Sequence, residues 1–427
     1  MNKEEITILG RTNYRNARQQ FGIRKADRRR HTYIVGKTGT GKSTLLLNCL
    51  IQDIRSGNGV ALLDPHGDLA ERLLDYIPAK RINETIYFNP GDTDFPIAFN
   101  PLFYRDPRQQ HLVASGLVQV FKKIWADSWG PRLEYVLRNT LLSLLEHPGH
   151  SLLAVTRMLN DDLFRERVVK RIKDPVVRHF WTMEFEGYPK VFRTETLSPI
   201  QNKVGQFLSN PLIRNIVGQT KTKFDLLDVM DNNGILIMNL SKGKIGEDNS
   251  SLLGSLMVTQ LYLAALRRAE QPEEKRRDFY LYIDELQSFV TEDFPSILSE
   301  ARKYRLNIGG MANQFISQLP DYMASAILGN VGTLISFTSG SEDAEVLAKE
   351  FYPEFREDHL QELPRHNVYM KLSIDGTTSK AFSAETLPPL VCHPPTSKSK
   401  IIEQTRQRYC VSHATAEDKI VRWLRQK

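Results

Sequence analysis

The sequence has 427 residues, 41% apolar and 25% charged, the composition of an ordinary globular chain with room for a large core and no need of disulfides or structural metal. Lys and Arg number 57 against 50 Asp and Glu, a net charge of +7, which permits a nucleic-acid or membrane-surface partner without requiring one. No stretch approaches the ~18 consecutive apolar residues of a membrane span, and the opening MNKEEITILGRTNYRN lacks an apolar signal region, so neither an integral membrane protein nor a secreted one is expected. Cys49, Cys392 and Cys410 are far apart, show no metal-ligand spacing and read as reduced thiols in a cytoplasmic chain.

In chain order, Thr32–Gly36 (TYIVG) is the first clear strand, followed by a helix over Lys42–Arg55 with Leu45, Leu46, Leu47, Leu50 and Ile51 on one face. Val60–Asp64 is a second buried strand, Leu69–Tyr76 a helix and Thr85–Phe88 a third strand. From Pro107 to Phe224 the pattern turns almost wholly helical, broken at Gly130-Pro131, Pro148-Gly149, Pro175 and Pro211. Strand periodicity resumes at Gly234–Leu240, then helix Ser250–Arg268, strand Phe279–Ile283, helix Pro295–Tyr304 and strand Asn307–Ala312. Strands Gly332–Phe337 and Asn367–Leu372 close the pattern, Pro388–Lys400 reads as a linker, and Ala416–Arg425 as a last helix. Strands alternating with helices predict an α/β fold with a parallel sheet and an inserted all-helical subdomain. The expected boundaries are residues 1–106 and 225–388 for the two parts of the α/β domain, 107–224 for the insertion, and 389–427 for a linker and docking helix.

Gly36-Lys37-Thr38-Gly39-Thr40-Gly41-Lys42-Ser43 matches G-x-x-x-x-G-K-[ST] between a strand and a helix. Its glycines let successive N–H groups turn toward one point, and the new helix adds the positive end of its dipole. Lys42 is placed to meet the β- and γ-phosphates, and the Ser43 hydroxyl to ligate Mg²⁺. ATP with Mg²⁺ is therefore the expected cofactor pair, contacted by Gly36, Lys37, Thr38, Gly39, Thr40, Gly41, Lys42, Ser43 and Thr44.

Strand Phe279–Ile283 runs into Asp284-Glu285, an acidic pair suited to hold the metal (Asp284) and polarise the attacking water (Glu285). Strands lie between this pair and the phosphate loop in sequence, as in the additional-strand, catalytic-glutamate branch of P-loop NTPases with a RecA-like fold. Asn313-Gln314 follows the next strand, where Gln314 could sense the γ-phosphate or simply cap a turn. Arg302, Lys303 and Arg305 end the preceding helix, either as dipole compensation or as an arginine that stabilises transition-state charge in a neighbouring subunit.

The segments GKTGTGKSTLL, LLDPHGDL, YIDELQSF, SEARKYRLNIGGMANQ and NVGTLISF resemble, in this order, the HerA–FtsK class of DNA-pumping ATPases. Within that class they are most similar to the type IV secretion coupling-protein branch, the conjugative DNA-transfer ATPases, from about Thr7 to Pro389. The resemblance implies a ring, expected as a hexamer, with DNA in its channel and ATP between subunits. It implies Lys42, Glu285, Arg302 and Gln314 as catalytic residues, with Arg305 second to Arg302 as the trans arginine, and Ser43 and Asp284 at the metal. It places Asp64, His66 and Asp68 near the nucleotide edge without assigned chemistry. A secretion apparatus or relaxase would be the partner, with the protein cytoplasmic or peripheral at the inner membrane through that partner and not inserted in it, because the transmembrane anchor of the coupling proteins is lacking here. The alternative is a secretion or pilus ATPase that drives protein transport with no DNA substrate; a slow nucleotide-gated scaffold would not need Glu285.

Other charged segments carry bland readings beside functional ones. Arg24, Lys25, Arg28, Arg29, Arg30 and His31 could meet DNA or a subunit, or form a solvated face, and Lys242 and Lys244 could line a channel or a turn. The helical insertion concentrates Arg157, Arg165, Arg167, Lys170, Arg171 and Lys173. Ile420, Val421, Trp423 and Leu424 could dock a partner or cap the core locally.

Overall fold

The computed structural model describes residues 5–392 and 396–425. The chain forms two compact units, one from Met1–Phe88, Leu226–Ser241 and Ala264–Gln404, the other from Asn89–Asp225, Lys242–Leu263 and Thr405–Lys427. The helical unit thus takes more than the 107–224 segment: it begins at Asn89 and includes a helix that follows Ser241 and the chain after Gln404. The Pro388–Lys400 stretch is no free linker. Asn48 holds the carbonyls of Leu387 and Pro388 and the N–H of Leu390, and a helix already starts at Lys398.

The first unit is built on a large sheet. Its strands are β1 (Ile6–Thr12), β2 (Gln20–Arg24), β3 (Thr32–Val35), β4 (Gly59–Asp64), β5 (Thr85–Phe88), β6 (Ile235–Asn239), β7 (Phe279–Ile283), β8 (Leu306–Asn313), β9 (Thr333–Ser336) and β10 (Asn367–Lys371). A small ribbon, β11 (Ser373–Ile374) with β12 (Thr377–Thr378), precedes the last strand, β13 (Phe382–Thr386). The order across the sheet is β2-β1-β13-β10-β9-β3-β8-β7-β4-β6-β5. From β9 to β5 every pairing is parallel; β2, β1, β13 and β10 add antiparallel strands at one side.

Parallel strands are covered on both faces, and their sequences are correspondingly apolar throughout: every residue of β3, β4, β6, β7 and β8 is buried. The antiparallel strands alternate buried and exposed positions and are interrupted by Gly10 and Gly22, which is why β1, β2 and β13 escaped the sequence reading. At the irregularity between Ile8 and Gly10, Gln52 bonds both the N–H and the carbonyl of Ile8, satisfying backbone that the strand pairing leaves open.

Helix α1 (Lys42–Arg55) buries Leu46, Leu47, Leu50, Ile51 and Ile54 completely, and α2 (Asp68–Leu74) adds Ala70, Leu73 and Leu74 to the same core. At its far end α1 is tied by a buried charge network. Arg28 donates to both oxygens of Asp53 (2.5 and 2.8 Å), Tyr282 donates to Asp53, and the guanidinium lies 3.8 Å from the Tyr280 ring centre. Much of the basic segment around Arg28 is paired: Arg28 with Asp53 in the interior, Arg29 with Asp278, Lys25 with Glu5 and, at the surface, Arg24 with Asp375, while His31 is buried. For Arg28 and Arg29 these pairings give a structural role.

The helical unit includes helices Gln110–Ile124, Pro131–Leu145, Leu153–Asn160, Asp162–Val169, Lys190–Ser209 and Pro211–Val217. Proline at the first turn starts several of them, where its missing N–H costs nothing. The last helix, His413–Arg425, packs within this unit: Ile420 is buried, the Trp423 ring meets Phe164 at 6.0 Å, and Arg157 bonds the Trp423 carbonyl. It caps its own unit through Ile420 and Trp423, while Val421 and Leu424 stay exposed.

Candidate nucleotide site at the carboxyl edge of the sheet

β3 delivers the chain into the phosphate loop. Gly39 (φ +77°) and Gly41 (φ +129°) occupy backbone conformations that L side chains rarely adopt, and a Cβ on Gly41 would press on Phe337 and His366. Among the described residues the N–H groups of Gly39, Gly41, Lys42 and Ser43 make no backbone hydrogen bond, leaving an anion-seeking cradle at the head of α1. Thr40 Oγ1 braces the loop against the Lys37 carbonyl at 2.7 Å, and the Lys37 N–H is held by Thr338 at 2.8 Å. Lys42 is buried, its ammonium resting on the carbonyls of Gly36 and Lys37. Burial lowers its pKa, and the carboxylates of Glu285 and Asp284 oppose that shift. Lys37, Thr38 and Gly39 are exposed at the tip, and Ser43 and Thr44 open α1.

The acidic strand lies one strand away, because β8 is inserted between β3 and β7. Asp284 nonetheless reaches the loop: Ser43 Oγ donates to Asp284 Oδ2 at 3.2 Å. Asp284 is buried, and burial together with Asp64 and Glu285 pushes its pKa up to about 6, against the opposing effects of Ser43 and His66. A buried carboxylate held up by its own acidic neighbours, and bonded to a serine hydroxyl, is a hard oxygen set that suits Mg²⁺. Among the described residues no group of three or more His, Cys, Asp or Glu could hold a metal ion.

Glu285 sits in a left-handed conformation (φ +51°), a costly geometry that turns it out of the strand direction. Gln287 Nε2 donates to Glu285 Oε2 at 2.6 Å, and Asn313 Nδ2 donates to Gln287 Oε1 at 2.8 Å. This amide relay from the end of β8 orients the carboxylate; nothing in the sequence pattern singled out Gln287. Gln314 follows directly, half-buried, at the same edge. Asp64 ends β4 fully buried and accepts from the N–H groups of His66 and Ala70, so its first task is to shape the turn into α2, and its charge bears on Asp284. His66 is exposed, and Asp68 opens α2.

Two further residues at the loop carry no sequence signal. The His366 N–H donates to the Thr40 carbonyl at 3.1 Å, and Arg365 Nη2 stands 3.9 Å from where a Cβ of Gly39 would be. They lie far along the chain in no recognisable motif, so only the tertiary structure brings them here.

Arg302 does not join this edge. It lies just before the amino end of β8, and β8 runs parallel to β3 with Asn313 beside Val35. Its eight residues span about 26 Å at 3.3 Å each. Arg302 is exposed, and its guanidinium makes no hydrogen bond or ion pair among the described residues; its carbonyl accepts from the Arg305 N–H at 3.1 Å. Arg305 is committed to Glu273 at 2.8 Å.

A RecA-like core with β8 inserted between phosphate-loop and acidic strands, and a glutamate oriented at their common edge, defines a P-loop NTPase of the additional-strand type. Residues 19–352 match the model of the type IV secretion-system coupling protein DNA-binding domain, and the chain belongs to that family. Among solved structures it is similar to the bacterial conjugative coupling protein TrwB in its unbound form, with TM-score 0.64 at 18% identity over 88% of this chain and 89% of that one. It matches TrwB in complex with ADP and Mg²⁺ with TM-score 0.64 at 17% identity, over 92% of each chain. VirB4 of Thermoanaerobacter pseudethanolicus is similar with TM-score 0.60 at 14% identity, over 91% of this chain and 98% of that one. No curated protein matches the sequence.

Proposed function

We propose that this protein is an ATP-driven DNA translocase of the conjugative coupling type, hydrolysing ATP at subunit interfaces of a ring. The observation that carries the ATPase reading is the Ser43–Asp284 hydrogen bond, which joins phosphate loop and acidic strand into one site beside Glu285. The phosphates lie on the free N–H groups of the loop with Lys42 beside them. Ser43 and Asp284 hold Mg²⁺, which when bound neutralises phosphate charge. Glu285, oriented by Gln287, accepts the proton of the attacking water, and Gln314 is placed at the same edge to report on the γ-phosphate.

The ring is supported by Arg302. An unpaired arginine at the opposite edge of the sheet cannot reach its own phosphate loop and fits the loop of a neighbour, with a hexamer the expected closure. DNA as the moved polymer is supported by family membership. Among the described residues no helix is long and apolar enough to cross a membrane. A cytoplasmic location, with a secretion or relaxase partner at the inner membrane, is part of the proposal.

Steady-state ATP hydrolysis, measured with and without single- and double-stranded DNA over a range of protein concentrations, tests this. Stimulation by DNA that rises cooperatively with protein is expected, and the preferred strand form names the substrate. Hydrolysis indifferent to both DNA and protein concentration would overturn the translocase and leave an ATPase that drives protein transport.

A further inference from the structure

The sheet order gives the nucleotide a direction. β3, which feeds the phosphate loop, has β8 and then β7 on one side, and β9 and then β10 on the other. Asp284 and Glu285 follow directly on β7, and Asp284 is bonded to Ser43, so the metal and the γ-phosphate belong on the β7 side of the loop. The adenosine is attached to the opposite end of the phosphate chain. It therefore leaves the loop toward β9 and β10.

A wall stands there. The segment 360–366, which leads into β10, is fastened to the end of β9 and to the phosphate loop. The Ser339 N–H donates to the Leu360 carbonyl at 3.0 Å, and Thr338 Oγ1 donates to the Leu363 carbonyl at 2.7 Å. The Thr338 carbonyl accepts from the Lys37 N–H at 2.8 Å, and the His366 N–H donates to the Thr40 carbonyl at 3.1 Å. His366 is held in the left-handed region (φ +65°), a strained conformation for a residue with a side chain. The Thr386 N–H and hydroxyl secure it, both donating to its carbonyl, at 2.8 and 3.1 Å. From this braced backbone two side chains meet the loop. His366 Nδ1 lies 3.1 Å from where a Cβ of Gly41 would stand, and Arg365 Nη2 3.9 Å from the same point on Gly39. Both residues are exposed, and among the described residues neither side chain makes a hydrogen bond or an ion pair.

The phosphates are already served by the loop N–H groups, by Lys42 and by Mg²⁺. The motif specifies nothing for the base and the ribose. The two uncommitted side chains have the chemistry these need. A guanidinium is planar and weakly hydrated and lies well against an aromatic face, and an imidazole can stack or bond a sugar hydroxyl. We propose that Arg365 and His366 bind the adenosine end of the nucleotide, its base and ribose, within the same subunit. The assignment rests on the ATP reading of the phosphate loop and extends it to the part of the ligand that the loop does not hold.

Isothermal titration of the full chain with ADP and with inorganic pyrophosphate, each with Mg²⁺, tests this, because pyrophosphate carries the phosphates without the adenosine. Arg365→Ala is expected to bind ADP about tenfold more weakly and pyrophosphate as the wild type does. Arg365→Lys keeps the charge and loses the plane, so it should not recover the affinity for ADP, whereas a phosphate contact would recover. His366→Gly removes the ring but tolerates the positive φ and keeps the N–H bond to Thr40, and it should show the same selective loss. Equal loss of both ligands in Arg365→Ala, recovery of ADP binding in Arg365→Lys, or ADP affinity unchanged in Arg365→Ala and His366→Gly alike overturns the assignment while leaving the ATP site in place. A wild-type chain that binds neither ligand overturns the ATP reading on which it rests.

Discussion

Ser43 and Asp284 are 241 positions apart, yet the Ser43 hydroxyl donates to the Asp284 carboxylate at 3.2 Å, so the two ends of the nucleotide chemistry meet before any ligand arrives. The bond spans the inserted strand β8 and joins the two residues proposed to hold Mg²⁺. Ser43→Ala and Asp284→Asn are expected to weaken Mg²⁺-dependent nucleotide binding and to cut hydrolysis strongly. Isothermal titration with ADP, with and without Mg²⁺, should show that the loss is confined to the Mg²⁺-dependent part. Equal loss in both conditions would place these residues in the loop's folding instead.

Lys42→Ala should abolish hydrolysis, because the buried ammonium is the loop's only lysine charge aimed inward. Glu285→Gln keeps the shape and the Gln287 contact but removes the proton acceptor. It should retain ATP while turnover falls by about 10²–10⁴-fold, the range for a lost general base. Rapid filtration of bound radiolabelled ATP distinguishes the two; a Glu285→Gln protein that turns over normally removes Glu285 from catalysis.

Gln287 orients Glu285 and is itself held by Asn313. Gln287→Ala should lower kcat while leaving KM for ATP near its original value, since the amide touches the carboxylate and not the phosphates. A matched rise in KM would mean that the residue shapes the binding site rather than the base.

Arg302→Ala is expected to lose hydrolysis with nucleotide affinity nearly intact, and mixing it with Lys42→Ala subunits should restore part of the activity. Arg305→Ala provides the contrast: it breaks an ion pair to a largely exposed Glu273, worth at most about 1 kcal/mol, and should hydrolyse normally. Failure of every mixing ratio to rescue would assign Arg302 to the helix end alone.

His31 predicts a pH effect. It is buried, its Nε2–H donating to the Leu298 carbonyl (2.9 Å) and its Nδ1 accepting from the Ile308 N–H (3.0 Å), and burial lowers its pKa from 6.5 to about 4. The unfolded chain takes up the proton first, so stability is full above about 6.5 and falls by about 3 kcal/mol as pH drops toward 4. Chemical denaturation of the wild type and of His31→Gln across this range should show the slope shrinking in the variant. The same slope in both would place the acid sensitivity elsewhere, for example at His150.

The parallel strands and the phosphate loop were legible in the sequence for one physical reason. Strands covered on both faces must be apolar at every position, and a loop that wraps phosphate needs glycine at fixed places before a lysine. TYIV, FYLYI and GKTGTGKS announce themselves, and Asp284, Glu285 and Gln314 follow from the ends of such strands. The half-exposed strands β1, β2 and β13 did not, because alternation broken by glycine is a weak signal. Nor did charge runs disclose their partners: the Arg24–His31 segment looked like a surface, but Asp53, Asp278 and Asp375 neutralise it from distant parts of the chain.

The sequence by itself determined the chemistry on offer, since motif residues keep their identity and spacing wherever the backbone goes. Only the tertiary structure decided which residues share a site. It set Gln287, Asn313, Arg365 and His366 around the nucleotide edge, and left Arg302 at the far end of β8. It also gathered Arg157 and Arg167 around Phe164. Contacts between residues hundreds of positions apart depend on strand order and helix packing, which local sequence pattern does not encode.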